Sequence, residues 1–181
     1  MKARIIYLLV LLVSLLTLLF TYYNSNYIAS IEDAINKANI SYDSILHTVE
    51  KNGYSIVFLG DGDGLSAGLL KKGFLGYKWI YGAGSKQFNE NFILTRMFAN
   101  LPTKNQGDDH ELVSLTFGVI NDNEIKDLKV MYRDKEMKKA TIIETENGRI
   151  WFCFSDEPFG YDPEVIRVYH DGEEIYGWYE N

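Results

Sequence analysis

The chain has 181 residues, of which 46% are hydrophobic and 24% charged, and it carries a net charge of -7. That suits one globular domain with a short appendage and is too little for two full domains. Residues 31–181 hold all 25 acidic residues and 16 of the 18 basic ones, a net charge of -9, so the bulk of the surface repels nucleic acid and anionic headgroups and no nucleic-acid partner is expected.

Residues 1–4 form a short basic start with Lys2 and Arg4. Residues 5–23 follow as 19 residues without charge, dominated by Leu, Ile, Val and Phe. As a helix this stretch is roughly 28 Å long at ~1.5 Å per residue, close to the ~30 Å of a hydrocarbon core. Ser14, Thr17 and Thr21 can bond back to carbonyls one turn earlier. Tyr22 and Tyr23 suit the membrane interface. With Lys2 and Arg4 before the span and no charge after it until Glu32 and Asp33, the positive-inside rule predicts a cytoplasmic N-terminus and a domain outside the cell membrane. Residues 1–4 alone would remain inside, which excludes a cytoplasmic effector domain, and the lipid bilayer is the expected partner of residues 5–23. A cleaved signal peptide has a shorter apolar core and small residues at its cleavage site. Here Ala29 follows Tyr27 by two, Ser30 follows Ile28 and Ser25 follows Tyr23, so a retained single-pass anchor is the expectation. Attachment through a lipid-modified cysteine is excluded, because the only cysteine is Cys153.

Residues 24–44 read as a juxtamembrane segment. Ser30-Ile31-Glu32-Asp33 has the form of a helix start, and Ile31, Ala34, Ile35 and Ala38 share a helical face, which predicts a short helix to about Lys37. Residues 42–50 fit either period, but Asn52-Gly53 followed by an apolar run favours a strand over 45–50 and a hairpin. From there residues 45–181 are expected to form one β-rich domain outside the cytoplasm. Segments 65–70 and 77–81, separated by residues 71–76, extend the hairpin into a meander. Phe92, Met97 and Phe98 suggest a short helix over 88–99, and the polar loop 102–111 is expected to divide the domain into halves. Strands are then expected over 112–120, 125–132, 140–144, 150–155, 165–169 and 174–179, with a charged turn around Arg133 to Lys139. Short strands at this spacing predict a mainly β fold, an antiparallel β-sandwich-like domain behind a transmembrane helix and a short juxtamembrane helix. With one cysteine there can be no intramolecular disulfide, and the core alone must hold it.

Few motifs carry chemistry. Gly64-Leu65-Ser66-Ala67-Gly68 matches the G-x-S-x-G of a nucleophile elbow, and Asp127 or Asp162 followed by His170 supplies the Ser, acid, His order. An elbow needs a helix after its strand, however, and Leu69-Leu70-Lys71-Lys72-Gly73 is too short and too glycine-bounded for one. Asp61-Gly62-Asp63-Gly64 offers two carboxylates as calcium loops do, yet without the closing Glu of such a loop, and Asp-Gly pairs also make ordinary hairpin turns. His47, His110 and His170 are scattered without zinc-ligand spacing. Cys153 lies among core residues and reads as an inert thiol. No cofactor is expected. Aromatic residues are 14% of the chain, and Trp79, Tyr81, Tyr161 and Trp178 are candidates for a stacking platform, although strand aromatics more commonly serve the core.

The run Lys71-Lys72-Gly73-Phe74-Leu75-Gly76-Tyr77-Lys78-Trp79-Ile80-Tyr81-Gly82, with Phe117-Gly118-Val119-Ile120, Ile125-Lys126-Asp127-Leu128-Lys129-Val130 and Arg149-Ile150-Trp151-Phe152 downstream, resembles small exported proteins of Bacillus-like Gram-positive bacteria. The likeness covers residues 40–176 and implies membrane or lipid anchoring, and it carries over no site. The expected role is a tethered extracytoplasmic module that binds an envelope protein, a peptide or a wall component. The alternative is a serine hydrolase using Ser66 and His170.

Overall fold

The computed structural model describes residues 2–62, 64–87, 92–103, 112–132, 137–158, 160 and 163–176. Helix α1 (Lys2–Asn26) carries the apolar stretch. Ser14, Thr17 and Thr21 donate to the carbonyls of Val10, Val13 and Thr17 at 2.9, 2.8 and 3.0 Å, so their hydroxyls are satisfied within the helix. The window Arg4–Tyr22 has a mean hydropathy of 2.5, and none of it is buried against the rest of the chain. Among the described residues this is the one helix long and apolar enough to cross a membrane.

Helix α2 (Ile31–Lys37) starts where its cap directs: the Ser30 hydroxyl accepts from the Asp33 N–H at 3.0 Å, with Glu32 and Asp33 in the positive first turn and Lys37 in the last. Among the described residues twelve strands follow, all paired antiparallel, and the fold is mainly β. The first sheet is the meander β1 (Ser44–Lys51), β2 (Tyr54–Asp61), β3 (Gly64–Gly73) and β4 (Gly76–Gln87), joined in chain order. Its first turn is Asn52-Gly53, both at positive φ (53° and 77°), the backbone that two-residue hairpins favour. The second sheet is β5 (Met97–Pro102), β6 (Leu112–Ile120), β10 (Gly148–Ser155) and β9 (Thr141–Thr145), in that order. The third runs β12 (Glu174–Tyr176), β11 (Glu164–Tyr169), β7 (Ile125–Met131) and β8 (Met137–Lys139).

The layers follow from which faces are apolar. Ile56 and Phe58 of β2, Leu65 and Leu69 of β3, Leu115 and Phe117 of β6 and Phe152 of β10 form the interior between the first and second sheets. Phe58 stacks on Phe152 at 4.9 Å and meets Phe117 edge-on at 5.8 Å between centroids, arrangements that ring quadrupoles favour. The alternate residues of the same strands face outward and are covered too. Val57, Leu59 and Leu70 pack under Ala34 and Ile35 of α2. Trp151, Cys153 and Ile120 pack against Leu128, Val130 and Val165 of the third sheet. Among the described residues four layers result, α2 and three sheets, which is why β2 and β6 are buried at nearly every position, the alternate Ser114, Thr116 and Gly118 of β6 included.

Three expectations change. Residues 92–99 are not helical: Leu94 bridges Ile120 and Met97–Pro102 is strand β5, paired with β6. Its period is two, with Ala99 and Leu101 buried and Phe98 exposed, so pairing with β6 overrides the helical reading; residues 88–91 lie outside the described residues. The division into halves therefore falls before β5 and not in the 102–111 loop, of which 104–111 lie outside the described residues. Met137–Lys139, expected in the charged turn, is a short strand against Lys129–Met131.

Candidate functional site

Ser66 lies inside β3, opposite Leu59 of β2, with strand on both sides. The strand, turn and helix of a nucleophile elbow are not formed there. The glycines of its motif have packing and turn roles: Gly64 pairs with Asp61 across the β2–β3 turn, and a Cβ on Gly68 would lie 2.1 Å from the Trp79 ring. His170 is an exposed turn residue after β11, its N–H donated to the Glu124 carbonyl at 3.2 Å. Asp127 is on β7 and binds Lys139 at 2.8 Å. Ser66 and these two belong to the first and third sheets, with the second sheet between, two spacings of about 10 Å each. The structure does not bring them together, and Asp162 lies outside the described residues.

Asp61 ends β2 in an exposed position, and the neighbouring Gly62 N–H is donated to the Asp43 carboxylate at 2.6 Å. Asp63 lies outside the described residues, among which no group of three or more metal-ligating side chains converges. His47 stacks against Phe152 and Phe58 at 5.7 and 6.4 Å, and burial pulls its pKa below 6.5. His110 lies outside the described residues. Cys153 is buried against the third sheet, and its carbonyl accepts from the Tyr132 hydroxyl at 3.0 Å.

Of the aromatic candidates, Trp79 stands in a cleft. Tyr81 is exposed two residues further along β4, and Tyr161 and Trp178 lie outside the described residues. The cleft holds about 210 Å³ between α2 and β4, with Ala34, Lys37 and Ala38 on one side and Tyr77, Lys78 and Trp79 on the other. Ile28 closes it: its N–H and carbonyl exchange hydrogen bonds with Tyr77 at 2.9 and 2.7 Å, so the segment leaving α1 adds a bridge to the edge of β4. Gly76 is required there, because a Cβ would meet the Ile28 carbonyl oxygen at 2.0 Å and its φ is +129°. Reading strands singly missed this site; the available signal was Tyr77 and Trp79 alternating about Lys78, shortly after Lys71-Lys72 at the end of β3. A second, more polar cleft of about 150 Å³ lies between the β1–β2 turn and the ends of β6 and β10. Lys51 and Asp156 face each other there at 3.9 Å, and Lys138 binds the same carboxylate at 2.5 Å, holding Asp156 below the usual carboxylate range.

The chain matches no protein-family model, no curated protein and no solved structure.

Proposed function

We propose that this chain is a single-span membrane protein whose β domain stands outside the cytoplasm and serves as a binding module for an envelope partner: another membrane protein, a peptide or a wall component. One observation carries the reading. An apolar helix in the core of a soluble protein is covered by its neighbours, whereas no part of the Arg4–Tyr22 window is buried against the domain, and its 15 large hydrophobic side chains exposed to water would be strongly unfavourable. Lipid is the environment that suits them. The direction follows from Lys2 and Arg4 ahead of the span. The resemblance to exported Gram-positive proteins agrees with it. Binding is favoured over catalysis because the candidate nucleophile Ser66 lies in the first sheet and the candidate acid Asp127 and base His170 at the third, while Trp79 lines an open cleft.

Cell fractionation with protease added from outside, followed by intact-mass analysis, tests the tether. Full-length protein in the membrane fraction with its domain digested is the expected result. A shortened soluble form starting near residue 30 would show a cleaved signal instead, and a protease-protected domain would reverse the orientation.

A further inference from the structure

We propose that the outer edge of β4 between Ile80 and Gly84 is a docking edge for an extended acidic peptide, which pairs with it as a further strand of the first sheet. The inference gives the partner of the binding-module reading a chemical class and rests on that reading.

The edge is long and open. β4 ends the first sheet, and at 12 residues it is the longest described strand, against 8 for β1 at the other end of that sheet. Backbone N–H and C=O groups directed outward along such an edge lack partners unless another segment supplies them. Tyr77 has its partner in Ile28. That bridge is antiparallel, so the residues next in line beside Lys78 and Trp79 are Tyr27 and Asn26. Asn26 already belongs to the last turn of α1, and the bridge goes no further. The apolar part of α1 does not cover the rest of the edge either, since none of Arg4–Tyr22 is buried. At the far end the Met97 side chain of β5 lies against Gly84, but the ladder of β5 is with β6.

Between these limits no described residue is hydrogen-bonded to the outer side of β4. Tyr81, Gly82 and Gly84 are exposed there, Tyr81 at 46%. The two glycines leave the backbone without side-chain cover, and β4 holds no proline to block pairing. The register against β3 shifts on either side of Tyr81-Gly82-Ala83, which keeps the docking stretch to a few residues. Main-chain bonds then supply the contact, and the Tyr81 ring offers a cross-strand surface to a β-branched or aromatic side chain.

Charge selects the occupant. Lys78 and Lys86 flank the stretch two residues from either end, and residues 64–87 contain no carboxylate, in a domain whose net charge is -9. Lys78 forms no ion pair among the described residues. Two copies of β4 paired edge to edge would bring lysines and two acidic domains together, whereas carboxylates opposite the lysines are favourable.

The test uses the full chain in phosphatidylcholine nanodiscs, with amide hydrogen exchange read residue by residue. The probes are two blocked peptides, one alternating glutamate with valine and the other lysine with valine. Expected with the glutamate peptide is slowed exchange at alternate amides within residues 80–84, and binding of the lysine peptide about tenfold weaker. Lys78→Glu is expected to narrow or reverse that preference while leaving exchange in β2 and β6 unchanged. Binding of the glutamate peptide without slowing in residues 80–84 would overturn the edge and leave a binding module standing. Equal binding of the two peptides, or binding of neither, would overturn the acidic strand as occupant. Slowing in residues 80–84 that grows with protein concentration and needs no peptide would assign the edge to a second copy instead. Exchange in α1 reports on the tether separately: slow amides over residues 8–19 are expected of a helix in lipid, and fast ones would overturn the membrane reading whatever the peptides do.

Discussion

Gly68 and Trp79 show how a motif-like spacing arises from packing. The indole lies over the glycine, so an added methyl must displace a ring that also covers α2-facing residues of the first sheet. Gly68→Ala is expected to cost about 1 to 3 kcal/mol in denaturant unfolding, whereas Ser66→Ala in the same motif should stay within about 0.5 kcal/mol; the opposite order would restore a special role for Ser66. His47 sets a pH dependence. Its neutral ring is stacked on Phe152 and Phe58, and burial lowers its folded pKa below the unfolded value of 6.5. The unfolded chain therefore binds the proton first. The contribution of neutral His47 is complete above pH 6.5 and is lost as pH falls through the folded pKa. Thermal unfolding followed from pH 7.5 down to 5 should show a decline that is shallower in His47→Gln.

At the scale of elements, α2 holds the outer face of the first sheet through Ala34 and Ile35 and depends on one cap. Ser30→Ala removes the acceptor for the Asp33 N–H and should cost about 1 kcal/mol, with Ser30→Asp close to wild type. Urea unfolding of the three proteins measures it; equal stability would show that packing alone sets the start of α2. Ser30 was legible because a cap is a local interaction, decided within four residues. The Asn52-Gly53 turn was legible for the same reason. Strand β5 was not: Met97, Phe98, Ala99, Asn100 and Leu101 satisfy no strong local rule, and their strand state comes from hydrogen bonds to β6, which starts ten residues further on.

Across the whole molecule, stability should follow coverage. Strands β2 and β6 are buried on both faces, while β8 and β12 are three-residue edge strands. Hydrogen exchange is expected to leave amides of Ile56–Phe58 and Leu115–Phe117 protected longest and those of β8 and β12 least; early exchange in β2 would mean that α2 and the second sheet do not close over it together. What the amino-acid order determined by itself was local or periodic: the apolar span and its flanking charge, the cap of α2, the hairpin turns and the alternation that marks most strands, each readable within a few residues. What only the tertiary structure decided was contact between distant segments: the third sheet over Trp151, the separation of Ser66 from His170, and the bridge from Ile28 to Tyr77 that closes the cleft between α2 and β4. The physical reason is that turns and caps are set by backbone geometry and neighbouring side chains, whereas layers and sites are set by which apolar faces find one another, and no short stretch of sequence records its partner.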